Sequence, residues 1–69
     1  MSAFSDKLKE LRKAKGVTQK AVAEGIGVAE AAYQQYEYGK HEPGHNKTVK
    51  LADFFDVTTD YLLGRTDKK

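Results

Sequence analysis

Phe4, Leu8 and Leu11 recur at spacings of four and three among charged residues, which draws one apolar stripe along a helix that stops at Gly16. Thr18 follows in the position of an N-cap, Val22 and Ile26 lie four apart, and Gly27 supplies the positive φ that a tight turn needs, so a second, short helix is expected there. Val28 leads into a third helix spanning roughly Ala29 to Tyr38, with Tyr33 and Tyr36 three apart and Gly39 at its C-terminal cap. The segment Lys40 to Gly44 holds the only proline, Pro43, and reads as a loop. Helix resumes near His45. There Val49, Ala52 and Phe55 form one stripe with Leu51 and Phe54 beside it, so this helix is apolar over more than half its girth and belongs at the centre. Asp56 and Val57 end it. Thr58 caps a last short helix containing Tyr61, Leu62 and Leu63, with Asp60 in its first turn and Gly64 closing it. Arg65 to Lys69 is a polar tail. With no alternating β pattern and no repeat, the expected fold is all-α: five helices joined by short loops in one compact domain, residues 1–69.

Composition narrows the picture further. A chain of 69 residues supports one small core and leaves no cleft between domains. With no cysteine, neither disulfides nor thiolate metal sites can supplement that core, which suits a reducing cytoplasm. No apolar run approaches the length of a membrane span, and the first residues lack a basic stretch followed by an apolar one, so a cytoplasmic protein is expected. Whether Arg65 to Lys69 is an end or a linker stays open. His41 and His45 are four apart, but Pro43 between them keeps them off a common helix face, so no metal site is expected. No serine stands next to a plausible catalytic base and no glycine-rich phosphate loop follows a strand, so neither an enzyme, a cofactor nor a small-molecule substrate is expected.

The net charge of +2 is modest, but it is unevenly placed. Residues 1–20 carry Lys7, Lys9, Arg12, Lys13, Lys15 and Lys20 against Asp6 and Glu10, while residues 21–40 carry Lys40 against Glu24, Glu30 and Glu37. The first segment is therefore basic and the second acidic. By itself, a basic run on one helix describes a solvated face as readily as an anion-binding one.

Gln19 to Tyr38 forms a more specific constellation. A helix-turn-helix requires two short helices crossing at a wide angle, a small residue where they touch, and a turn that neither helix can run through. Ala23 is the small residue, Gly27 makes the turn, and Val22, Ile26, Val28 and Tyr36 fill the space behind. The second helix of such a pair presents its N-terminal end, the end that enters a DNA major groove.

Several blocks in register resemble the Cro/repressor-type (Xre) DNA-binding domains of phage repressors and small bacterial regulators: Leu8-Lys9-Glu10-Leu11-Arg12, Lys15-Gly16-Val17-Thr18-Gln19, Val22-Ala23, Gly27-Val28, Tyr36-Glu37 with Gly39-Lys40 and Pro43, then Leu51-Ala52, Phe55, Val57 and Tyr61-Leu62-Leu63-Gly64-Arg65. The resemblance covers nearly the whole chain and implies the lambda-repressor-like fold, with the helix-turn-helix formed by the second and third helices. It implies that Glu30, Ala31, Gln34 and Gln35 face base edges, and that Tyr38, Lys40 and His41, with Lys20 as a weaker candidate, approach the phosphate backbone. Gln19 would contact a phosphate or brace the recognition helix. Arg12 would pair with Glu37, the bland alternative being two exposed charges. Ala29, where relatives place a capping serine or threonine, and Tyr33, where they place a β-branched residue, depart from the pattern.

The side chains on the third helix set the expected readout. Glutamine can both donate to and accept from adenine, an alanine methyl can meet a thymine methyl, and glutamate can only accept, as from cytosine N4. With no arginine on this helix, readout biased toward A·T steps is expected, with one cytosine opposite Glu30. The aromatic rings fall mostly on core stripes, and most of the four tyrosines are expected to offer apolar bodies with their hydroxyls in water. Phe54, Tyr61, Leu62 and Leu63 are either core or the seam of a homodimer on two-fold symmetric operator DNA. The expected function is a transcriptional regulator, a repressor that occupies a palindromic operator. The alternative is a protein-interaction module of antitoxin or adaptor type, favoured by the acidity of the third helix.

Overall fold

The structure is a computed structural model that describes residues 3–69 and contains five helices: α1 (Ala3–Lys15), α2 (Gln19–Ile26), α3 (Glu30–Tyr38), α4 (His45–Phe55) and α5 (Thr59–Leu62). The five-helix arrangement read from the hydrophobic pattern is the observed one. Phe4, Leu8, Val22, Ala23, Ile26, Tyr33, Leu51, Ala52, Phe55 and Leu62 are buried together as one core, drawn from all five helices. Helix α2 lies between α3 and α4, while α1 packs across α3, α4 and α5. No helix among the described residues is long and apolar enough to cross a membrane.

The joints follow the local chemistry. Thr18 Oγ1 accepts the Ala21 N–H at 3.0 Å and starts α2, and Thr58 does the same for α5 through Tyr61 at 3.0 Å. At the far end of α2, Gly27 takes φ 76°, and the Val28 N–H returns to the Ala23 carbonyl at 3.0 Å, which closes the helix and redirects the chain into the turn. Lys47 Nζ donates to the Ile26 carbonyl at 3.3 Å, so a cation from α4 meets the negative end of α2. Gly25 serves a second purpose: the Phe54 ring lies where a Cβ would be, so any larger residue would require that ring to move.

Four details depart from the sequence reading. Ala29 is the extended N-cap residue of α3, with no side-chain hydrogen bond, so the helix begins at Glu30. In α4 the innermost residues are Thr48, Leu51, Ala52 and Phe55, and Val49 and Phe54 are only half-buried; the face turned inward is the one packed against α2, α5 and α1, and it is set off from the apolar stripe. Leu63 falls outside α5 as its C-cap. Leu62, a candidate for a dimer seam, is 0% exposed within the single chain, so it is core and has no surface left to offer a partner.

Candidate nucleic-acid interface

Helix α3 is held from beneath by charge. Arg12 on α1 grips Glu37 with two hydrogen bonds, Nε to Oε2 at 2.6 Å and Nη2 to Oε1 at 3.2 Å. Its remaining Nη1 donates to the Val17 carbonyl at 3.3 Å and ties the α1–α2 turn to the same point. The Glu37 side chain is 2% exposed and that of Arg12 19%, so this is an interior pair and not the two surface charges of the bland reading. Burial alone would push the Glu37 carboxyl up, but Arg12 first, then the neighbouring Tyr33 hydroxyl and Gln19, outweigh it and hold the group below its ordinary value. Glu37 in turn holds the Arg12 guanidinium above its ordinary value.

Gln19, the first residue of α2, joins this pair to the surface. Its Nε2 donates to Glu37 Oε1 at 3.2 Å, and its Oε1 accepts from Gln34 Nε2 at 3.2 Å. Of the two roles expected for Gln19, the structure displays the brace. That Gln34 is tied back to α2 was missed, because contacts between helices leave no trace in either helix's periodicity. Beside the pair lies Tyr33, 0% exposed, whose hydroxyl has no hydrogen-bond partner. Burial first, and the neighbouring Glu37 carboxylate second, push its titration upward. Tyr33 is the exception to the wet hydroxyls expected of most tyrosines, because its ring lies fully inside the domain and carries the oxygen with it.

The outer surface of α3 is then well defined. Glu30 and Ala31, in the first turn, are exposed, and Gln34 and Gln35, one turn on, are half-buried. Since Ala29 provides no cap, the first amides of α3 are left open at the same end. Tyr38 is 57% exposed at the C-terminal end, beside exposed Lys40 and His41, and Lys20 is exposed at the start of α2. The four candidate base-facing residues are thus exposed or half-buried along α3, and Lys20, Tyr38, Lys40 and His41 are exposed at the start of α2, the end of α3 and the loop that follows it. The remaining dimer candidates each have neighbours outside α3. Phe54 packs at Gly25 under Lys15, Tyr61 lies under Lys7 and Lys69, and Leu63, 49% exposed, borders a small hollow with Phe4 and Pro43.

A family profile described as helix-turn-helix matches residues 8–62, which takes in α1 from Leu8 onward and α2 to α5 whole. The chain belongs to the Cro/repressor-type helix-turn-helix family. Relatives of this helix-turn-helix domain include the transcriptional regulator AnsR of Bacillus subtilis (strain 168), 42% identical over 93% of this chain and 55% of its own length. Another is the cryptic phage CTXphi transcriptional repressor RstR of Vibrio cholerae, 41% identical over 93% of this chain and 58% of its own. The domain therefore spans a little over half the length of the curated relatives it matches. In three dimensions it is similar to the P22 c2 repressor, whose structure was determined in complex with a synthetic operator: the TM-score is 0.87 at 25% identity, over 91% of this chain and 96% of the other.

Proposed function

We propose that this helix-turn-helix domain binds double-stranded operator DNA and represses transcription by occupying the site. The observation that carries the reading is the exposed first turn of α3, fixed to the body by an interior ion pair at the helix's other end. A recognition helix must present base-reading side chains without yielding as the protein approaches, and the Arg12–Glu37 anchor supplies that stiffness. Glu30, Ala31, Gln34 and Gln35 then read base edges in the major groove, biased toward A·T steps with cytosine opposite Glu30. Lys20, Tyr38, Lys40 and His41 hold the phosphate backbone from either side, and Gln19 acts chiefly as the brace beneath them. The related proteins include two repressors, RstR and P22 c2, and the latter is known in complex with operator DNA, which supports the same partner here. A C₂ homodimer on a palindromic site completes the reading, with Phe54, Tyr61 and Leu63 as the apolar residues available to a seam.

The acidity of α3, which favoured a protein partner, weakens as an argument once Glu37 is neutralised inside the domain. Only Glu30 remains as an exposed carboxylate on that helix. Titration of salt against binding to random-sequence duplex separates the two readings. The DNA reading predicts that log K falls linearly with log salt at a slope of about −3 or steeper, as lysines from two subunits release counterions. Absence of binding at low salt would instead support a protein partner.

A further inference from the structure

The hydrogen bonds that join Glu37 to Gln34 have a direction. Glu37 is an ionised carboxylate and can only accept, and its Oε1 already takes Arg12 Nη2. Gln19 must therefore turn its NH₂ toward Glu37, as it does at 3.2 Å. That leaves the Gln19 oxygen facing α3, where an oxygen can only accept, so Gln34 must answer with its own NH₂, again at 3.2 Å. Turning either amide over would set oxygen against oxygen. The polarity chosen in the interior is thus passed outward through two side chains to the surface of α3. What Gln34 has left is its Oε1 and a single N–H.

We propose that Gln19 is a positioning residue that locks the Gln34 amide with its oxygen toward the major groove, so that Gln34 selects a base carrying an exocyclic amino group. A free glutamine turns its amide over and serves either kind of edge. A locked one meets adenine N6 or cytosine N4 favourably and faces the carbonyl oxygens of guanine and thymine with an oxygen of its own. Adenine is the better match, because its N7 takes the N–H that Gln34 still has free. The inference rests on the major-groove placement of α3 proposed above.

Selection from a randomised duplex library with three proteins tests it. Gln34→Ala identifies the half-site position that Gln34 reads, as the position whose preference disappears. At that position the wild type is expected to favour adenine or cytosine over guanine and thymine by about tenfold. Gln19→Met, close in volume but without an amide, is expected to reduce this to about twofold or less while the rest of the selected site persists. An unchanged preference in Gln19→Met overturns the lock, and so does an equal loss of affinity for all sequences, which would make Gln19 merely structural. No enriched sequence with the wild type would remove the DNA reading and this inference with it. Should Gln19→Met fail to fold, the free wild-type protein decides: slow solvent exchange of the Gln19 and Gln34 side-chain NH₂ signals in NMR is expected, and fast exchange of both overturns the lock.

Discussion

Arg12→Ala is expected to destabilise the domain by about 3 to 5 kcal/mol, because it leaves the Glu37 charge inside with Gln19 as its remaining donor. In a domain this small, such a loss lowers the melting temperature by more than about 12 °C. The dependence on pH gives the interpretation a second handle. In the wild type the Glu37 carboxyl titrates below its ordinary value, so its contribution is present above the unfolded-state pKa and is lost as pH falls through the folded one. Without Arg12, burial dominates and raises the folded value above the unfolded one. The variant's deficit should then shrink on acidification from about pH 7 toward the carboxylate range, whereas the wild type weakens there. Denaturant unfolding of both proteins across that interval checks the sign. A variant within about 1 kcal/mol of the wild type at neutral pH would mean that the pair contributes little.

Ala31→Glu should act on DNA binding and leave folding alone. Ala31 is exposed in the first turn of α3, where glutamate is a good helix former and its charge suits the helix dipole, so the melting temperature should hold. On DNA the same side chain places a second carboxylate beside Glu30 and against the phosphates. Like charges so placed cost several kcal/mol, and affinity for a selected duplex should fall by about 100-fold or more, read by fluorescence anisotropy. Equal binding by variant and wild type would move the interface away from this turn.

How far the sequence reveals the domain depends on the range of the forces involved. Thr18, Gly27, Gly39 and Thr58 act on residues a few positions away, so the helix limits could be read from them. The apolar stripes of α1 and α2 gave their inner faces for the same reason. Leu62 and Leu63 could not be separated, since a four-residue helix has no measurable period, and only its docking decides which leucine turns inward. The Arg12–Glu37 pair came from family resemblance, because a span of 25 residues between partners follows no local rule. The Gln19–Gln34 bridge and the dry Tyr33 hydroxyl had no such guide. Both depend on how α2 crosses α3 over the core, which is settled by packing.

The central claim is that one side of α2–α3 meets DNA. A ¹⁵N NMR titration of the domain with a selected duplex tests it most directly. Shift changes are predicted to concentrate at residues 29–35 and 38–41, with Lys20 at the edge. Changes concentrated instead around Phe54, Tyr61 and Leu63, with the first turn of α3 unmoved, would contradict it.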